Sequence, residues 1–96
     1  MLSINEAYDA LVGAAEASST HGSFQPATSL APSLGLRSFG TEKNRRDFER
    51  HEGSYTLRLG WRMVPRDTAA RERHSITVTL LENGVRLRRH EVNFEA

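Results

Sequence analysis

The side chains in this sequence that could act as general bases or metal ligands are its histidines. His21, His51, His74 and His90 are scattered along the chain and lack the i,i+4 spacing of a helical zinc site. The sequence has no cysteine that could complete a metal centre or a disulfide framework. The sequence therefore predicts no metal and no cofactor.

Two of these histidines have carboxylates close by in sequence. His51 lies between Glu49 and Glu52, and His74 follows Glu72, so both groups contain the residue types of a general acid–base pair. Neighbouring charged residues in loops more commonly face water, however. No serine stands in a nucleophile-elbow sequence, and the glycines do not form a phosphate loop. We therefore predict that the protein is not an enzyme.

Arginine dominates the basic residues. The 13 lysines and arginines include a single lysine, Lys43, while the net charge is only +1. Arginine makes planar bidentate contacts with carboxylates and phosphates and is common at interfaces, whereas lysine would serve solubility equally well. This bias suggests an interaction surface, although a GC-rich coding bias would produce the same skew.

A basic sheet face is the most specific arrangement that these arginines suggest. Arg58 and Arg62 lie on the polar side of a predicted strand, and Arg86 and Arg88 could flank them across a hairpin. Such a face could bind the phosphates of a nucleic acid, but the aromatic residues needed for stacking point to the other face, and the net charge is near neutral. Alternatively, these arginines pair with acidic residues of a neighbouring copy.

Length and hydropathy bound the architecture. A chain of 96 residues is predicted to form one domain, residues 1–96, with one core. No apolar stretch approaches the roughly 20 residues that a membrane span requires, and the N-terminus lacks the pattern of a secretory signal. The sequence thus predicts a protein that neither spans a membrane nor is exported by that route.

The first predicted element is an N-terminal helix over residues 3–17. Ser3 and Glu6 have the spacing of a capping box, and apolar residues then recur at helical spacing. They are Ile4, Tyr8, Leu11, Val12 and Ala15. The helix is expected to end near Ser18.

The middle of the chain, residues 18–53, is predicted to be a long loop or arm. Serine, proline and glycine recur every few residues, and Leu34 to Phe39 could add a short edge strand. Glu42 to Glu52 mixes both charge signs and suggests an exposed loop or helical turn. A connection this long is usually functional, so part of it is expected to become ordered only against a partner.

The second half, residues 54–95, is predicted to form an antiparallel sheet. Apolar and polar residues alternate strictly from Tyr55 to Met63, and Ser75 to Leu81 is rich in β-branched residues. Asn83-Gly84 matches a type I′ hairpin turn leading into a last strand, Val85 to Phe94. Its inward positions shift phase, which predicts a bulge near Arg88-Arg89-His90.

An alternative interpretation places a helix between Asp67 as N-cap and Gly84 as C-terminal glycine. The alternation of Ile76 to Leu80 favours the strand instead. The predicted fold class is therefore α+β, with the N-terminal helix packed on a three- to four-stranded antiparallel meander and a long loop between them.

This order of elements resembles the small neck and tail-completion proteins of long-tailed phages, particularly tail terminators. The resemblance rests on element order: the Ser3 to Ala17 helix, the Tyr55 to Val64 strand after His51-Glu52-Gly53, and a closing strand ending in Glu91-Val92-Asn93-Phe94. Members of that group form rings that cap the tail tube and join it to the head. They use sheet edges and extended loops for subunit contacts.

The resemblance implies a non-enzymatic structural subunit of a phage or phage-like particle, located in the virion and assembled in the host cytoplasm. Its expected partners are copies of itself in a ring and other tail or neck proteins. The alternative is a small nucleic-acid-binding or regulatory protein that uses the arginine-rich sheet face. Subunit contacts are predicted in Glu42 to Gly53 and Arg66 to Arg73. The predicted interface residues are Arg45, Arg46, Phe48, Arg50, Arg58, Arg62, Arg66, Arg71, Arg73, Arg86 and Arg88.

Overall fold

The chain folds as an α+β structure in which helices cover one face of a five-stranded antiparallel sheet. The computed structural model describes residues 2–64 and 72–96. The strands pair in chain order, β1-β2-β3-β4-β5, so each strand lies next to the one that follows it. The elements are α1 Ile4–His21, α2 Gln25–Leu30, a 3-10 helix Pro32–Leu34, β1 Arg37–Glu42, β2 Arg45–Glu52, β3 Tyr55–Val64, β4 Arg73–Glu82 and β5 Val85–Glu95.

The predicted capping box starts α1. The Ser3 hydroxyl accepts a hydrogen bond from the Glu6 backbone N–H at 3.2 Å, and the Glu6 carboxylate accepts one from the Ser3 N–H at 3.1 Å. The helix continues to His21, beyond the predicted end near Ser18. Gly22 then terminates it in the left-handed region at φ 65°.

Residues 18–53 do not form the predicted loop, because they contain the end of α1, α2, the 3-10 helix, β1 and β2. The Ser18 side chain is buried and accepts a hydrogen bond from the Ala27 N–H at 3.1 Å, which fixes α2 against α1. Phe24 stacks on Trp61 with ring centroids 4.4 Å apart. Serine and proline therefore mark a tightly packed helical connection, where the sequence suggested an arm.

The mixed charges of Glu42 to Glu52 lie in the β1–β2 hairpin, where Glu42 ends β1, residues 43–44 form the turn and residues 45–52 form β2; this is the second correction. Phe48 and Arg50 point into the core, while Asp47 and Glu49 point to the opposite face. One face of β2 is exposed to solvent and few of its residues are buried on the other, so the strand has few apolar residues and its composition resembles that of a loop. With β1 and β2 added, the sheet has five strands, where the sequence predicted three or four.

The predictions for the second half of the sheet are confirmed. The buried residues of β3 are Leu57, Leu59 and Trp61, and its register with β4 is unbroken from Tyr55 to Val64. Residues 73–82 form a strand, so the alternative helix is wrong over that range. Asn83 and Gly84 both have positive φ, 50° and 80°, as a type I′ turn requires.

A bulge occurs in β5, at Leu87. Leu80 pairs with Arg88 and Leu81 pairs with Arg86, so Leu87 is the extra residue. It precedes the predicted position by one residue. The shift reverses the faces on which the arginines before and after it lie.

The capping box gives a stability test. Ser3→Ala removes the acceptor for the Glu6 N–H and should lower the free energy of unfolding by about 1 kcal/mol. Ser33→Ala, at an exposed position of the 3-10 helix, is the matched control and should change stability by less than about 0.5 kcal/mol. Urea denaturation followed by circular dichroism measures both. Equal effects of the two substitutions would show that the cap does not stabilise the helix.

The capping box also predicts a pH dependence. Hydrogen bonds from the Ser3 backbone and side chain lower the pKa of Glu6. A lowered native pKa stabilises the fold above the unfolded pKa of about 4.3, and this stabilisation disappears as pH falls through the native value. Glu6→Gln should therefore be less stable than the parent at pH 7 and indistinguishable from it at pH 2.5, by thermal unfolding. A constant difference across this range would contradict the linkage.

Candidate functional site

The face of the sheet opposite the helices, called the outer face below, is built from rows of polar residues in register across four strands. One row pairs Asp47 with Gly60, Thr77 and Glu91. The adjacent rows are Arg45, Arg62, Ser75 and Asn93, and Glu49, Arg58, Thr79 and Arg89. Cross-strand neighbours on one face lie about 5 Å apart, so the opposite charges in these rows contact each other.

Asp47 is shared between two arginines. Its carboxylate accepts a hydrogen bond from Arg45 Nε at 2.7 Å and another from an Arg62 terminal nitrogen at 3.2 Å. This pairing raises the pKa of Arg45. Gly60 lies opposite Asp47, and a Cβ there would stand 3.4 Å from the Asp47 carboxylate, so the glycine leaves room for the pairing.

A second group centres on Glu49. Arg58 Nε donates to Glu49 Oε2 at 3.0 Å, and His51 Nε2 contacts Glu49 Oε1. Thr56 Oγ1 lies 3.2 Å from His51 Nδ1 on the other side of the ring. A hydroxyl, an imidazole and a carboxylate in this order resemble a nucleophile, base and orienting acid. The His51 side chain is 65% exposed, however, and Arg58 shares the carboxylate, so the group is better explained as an exposed cross-strand ion pair.

Glu91 forms a third group on β5. Arg89 donates to Glu91 Oε1 at 2.7 Å, and Asn93 donates to Oε2 at 3.3 Å. Hydrogen bonds from Asn93 and Arg89 lower the pKa of Glu91. An open depression of about 440 Å³ lies over β2 and β3 on the same face, and the described residues that line it include both signs of charge. The outer face is therefore mixed in charge, not uniformly basic as predicted.

Four of the predicted arginines are divided between the two faces. Arg58 and Arg62 lie on the outer face as predicted, and Arg86 pairs with Leu81 on that side. Arg88 lies on the helix-covered face, because the bulge at Leu87 reverses its phase. Arg89 takes the outer position in its place. The sequence predicted a bulge in this region but not its exact position, which decides whether Arg88 or Arg89 lies on the outer face. For this reason Arg89 was not among the predicted residues.

Arg88 and His90 connect β5 to α1 through contacts with acidic side chains of the helix. Arg88 donates to Asp9 at 2.9 Å, and its guanidinium carbon stands 4.2 Å from the centroid of the Tyr8 ring. His90 Nε2 lies 2.5 Å from a Glu16 carboxylate oxygen. Burial raises the pKa of Tyr8, and the charge of Arg88 opposes this shift. Sequence reasoning missed these contacts, because they join residues more than 70 positions apart.

Two predicted interface residues are buried within the chain. Phe48 is 6% exposed and belongs to the core. Arg50 is 7% exposed and donates to the Leu34 carbonyl at 3.2 Å and to Glu52 at 2.8 Å. Arg50 therefore holds the end of the 3-10 helix against β2. Neither side chain offers a surface to a partner of the monomer.

The remaining predicted residues divide between exposed positions and an undescribed segment. Arg45, Arg46 and Arg73 are exposed at the same end of the sheet, where β2 and β4 begin. Arg66 and Arg71 lie outside the described residues, as does most of the predicted contact segment Arg66 to Arg73.

His74 is buried and belongs to an aromatic stack. Its Nδ1 accepts a hydrogen bond from Trp61 Nε1 at 3.0 Å, and its ring lies 4.9 Å from that of Phe94 at an interplanar angle of 3°. Its Nε2 is buried without a hydrogen bond in the described part of the chain and stands 3.6 Å from the Glu72 carboxylate. Because Nδ1 is an acceptor, the neutral ring carries its proton on Nε2. The two side chains of the predicted His74–Glu72 pair thus lie near each other, but His74 is buried in the core, where it is hydrogen-bonded to Trp61 and stacked on Phe94.

The edges of the sheet differ in length and regularity. Within residues 2–64 and 72–96, β1 and β5 each have a single neighbouring strand. β1 has six residues, and its register shifts at Gly40, where φ is +72°. β5 has 11 residues and exposes two apolar side chains, Val85 at 65% and Leu87 at 50%, whereas β1 exposes one, Phe39 at 49%. The long edge with exposed apolar residues is the stronger candidate for a contact surface.

The structure assigns no metal site and no membrane span to the residues that it describes. These residues contain no group of three or more potential metal-ligating side chains among His, Cys, Asp and Glu. No helix among them is long and apolar enough to cross a membrane. No protein-family model, curated protein or solved structure matches the chain.

The buried Trp61–His74 hydrogen bond gives a direct test of the core. His74→Phe should lower the free energy of unfolding by roughly 1–3 kcal/mol, because the Trp61 N–H loses its acceptor. In the double variant Trp61→Phe/His74→Phe both polar groups are gone. His74→Phe should therefore lower the free energy of unfolding by less in the Trp61→Phe background than in the parent. A double-mutant cycle measured by urea denaturation compares the two losses. Equal costs in both backgrounds would show that the hydrogen bond does not stabilise the fold.

Proposed function

We propose that this chain is a non-enzymatic structural subunit of a phage or phage-like particle, which acts by assembling with copies of itself. Its position would be that of a ring-forming tail terminator or a head–tail joining protein, in contact with other tail or neck proteins. The observation that carries the proposal is the open β5 edge, 11 residues long with Val85 and Leu87 exposed. Within the described residues β5 has a strand partner on one side only, so its other side can add a strand from another chain.

The distribution of charge supports assembly through an edge. Arg45, Arg58, Arg62 and Arg89 already bind carboxylates of their own chain on the outer face. A surface that neutralises its own charges has little electrostatic attraction left for a distant partner. The edge of β5, in contrast, offers backbone donors and acceptors that only another strand can pair in register.

The correction of residues 18–53 changes how such a subunit would make its contacts. The sequence suggested that Glu42 to Gly53 is a loop reaching toward a neighbour, but this segment is the end of β1, the β1–β2 turn, β2 and the first residue of the next turn. Contacts through this segment would therefore involve only its outward side chains, such as Arg45 at its exposed end. The sheet edge becomes the principal surface of the proposal.

The nucleic-acid alternative relied on a uniformly basic face. Two of its four arginines, Arg58 and Arg62, are bound to Glu49 and Asp47, and Arg88 lies on the other face. Phosphate binding would have to displace these carboxylates, at the cost of existing charge-assisted hydrogen bonds. Strand addition at the β5 edge leaves the Arg58–Glu49 and Arg62–Asp47 pairs in place.

Solution mass tests the proposal. Light scattering after chromatography of nuclease-treated protein, at low and high salt and over a range of concentrations, should show a discrete multimer. We expect the multimer to persist at high salt, because strand pairing and apolar contacts are weakly screened. A chain that remains monomeric throughout would contradict the proposal. A monomer that changes mass only on adding nucleic acid, with salt-sensitive affinity, would favour the nucleic-acid alternative.

A further inference from the structure

We propose that the self-contact is an antiparallel pairing of β5 with β5 of a second copy, related by a two-fold axis perpendicular to the sheet near His90. This inference rests on the proposed self-assembly and specifies its geometry. It would join two five-stranded sheets into one continuous sheet with all the helices on one side.

Sheet topology distinguishes this pairing from the head-to-tail alternative. The five strands alternate in direction, so β1 and β5 run the same way. A ring that continued the sheet from β5 to the partner's β1, around an axis parallel to the strands, would have to pair them in parallel. Both edge strands carry a bulge, but the one at Gly40 divides β1 into segments of three and two residues, whereas the one at Leu87 leaves residues 88–95 of β5 in regular register. An antiparallel β5–β5 contact avoids β1 entirely.

The charge along β5 favours antiparallel self-pairing. The first half of the strand is basic, with Arg86 and Arg89 on the outer side, and the second half carries Glu91 and Glu95. Pairing the strand with itself in antiparallel orientation sets the basic half of each copy against the acidic half of the other. A parallel arrangement would set like charges side by side, which is destabilising.

Paired residues must lie on the same face of the sheet, and this requirement limits the possible registers of the β5–β5 pair. Directly opposed residues in an antiparallel pair lie on the same face, and residues 88–95 keep regular register with β4. A dyad at His90 sets Arg89 of each copy opposite Glu91 of the other, twice per contact. A dyad at Arg89 or Glu91 would instead set that residue against itself. Only the His90 register among these three pairs opposite charges across the axis.

The contacts on the helix side fit this arrangement. Arg88 and His90 would otherwise place two basic side chains of each copy at the dyad, but Asp9 and Glu16 of the same chain bind them. Residues 88–92 of the two copies would pair in regular register, and Val85 and Leu87, at and before the bulge, would lie beside the C-terminal part of the partner strand. A two-fold contact also implies that any larger ring contains an even number of chains.

Two complementary charge reversals test the inference. Arg89→Glu and Glu91→Arg each break the pair within the chain and place like charges across the dyad, so each variant alone should self-associate roughly tenfold more weakly than the parent. In a mixture, Glu at 89 of one variant faces Arg at 91 of the other. The mixed dimer should therefore regain tight association, although the pairing within each chain stays broken.

The matched control is Arg58→Glu, which makes the same charge change opposite Glu49 on β3, two strands from the edge. It should leave association unchanged. Native mass spectrometry separates mixed from unmixed dimers by mass, and circular dichroism confirms that each variant is folded. Equal amounts of mixed and unmixed dimers, or weakening by Arg58→Glu as well, would overturn the register.

A second measurement holds even if the charge variants fold poorly. The chain has no cysteine, so His90→Cys introduces a single thiol at the proposed dyad. Mild oxidation should give a disulfide-linked dimer, because opposed strand residues have the Cα separation that a disulfide requires. Thr79→Cys on β4 is the control and should remain unlinked. A parent that assembles while His90→Cys stays unlinked overturns this inference alone, whereas a monomeric parent overturns the proposed self-assembly with it.

Discussion

In the part of the chain that the structure describes, helices cover one face of the sheet and not the other, and that constraint governs the rest of the structure. Each strand must place its apolar side chains toward α1 and α2 and leave polar ones to face water. In β3 and β4 the result is alternation, with Leu57 and Val78 completely buried between charged or hydroxyl neighbours. The outer face then has to be soluble without becoming strongly charged. Interleaved arginines and carboxylates meet both requirements.

The same constraint explains which elements could be predicted from the sequence. The buried face of β3 consists of large apolar residues, so its two-residue period is visible in the sequence. The Asn83-Gly84 turn and the Ser3 to Glu6 capping box are local signals that need no tertiary context. These features determine α1, β3, β4 and the hairpin. They are enough to assign the α+β class correctly.

The missed elements depend on contacts that are distant in sequence. β2 buries Phe48 and Arg50, and the arginine is stabilised by the Leu34 carbonyl, so hydrophobicity gives little indication of a strand. The phase of the bulge at Leu87 is set by pairing with β4 and by the attachment of Arg88 to Asp9. Single-sequence periodicity contains none of this information, and Arg88 was therefore assigned to the outer face, where Arg89 lies instead.

Once many of its charges are paired internally, the outer face is a hydrated surface, and the longer of the two open sheet edges in the described structure is β5. A protein whose role is to join copies of itself needs such an edge, whereas one that binds phosphates needs unpaired cations. The proposed self-assembly and the proposed two-fold contact both rest on this difference. They attribute binding to backbone groups and a few side chains near His90, and assign the arginines mainly to solubility and register.

Hydrogen–deuterium exchange as a function of protein concentration tests this central claim most directly. If β5 is the contact, amides of residues 88–95 should exchange more slowly as concentration rises, because outward N–H groups become hydrogen-bonded. Amides of β1 should exchange at a constant rate over the same range. Concentration-independent exchange in β5, or protection that appears in β1 instead, would contradict the account.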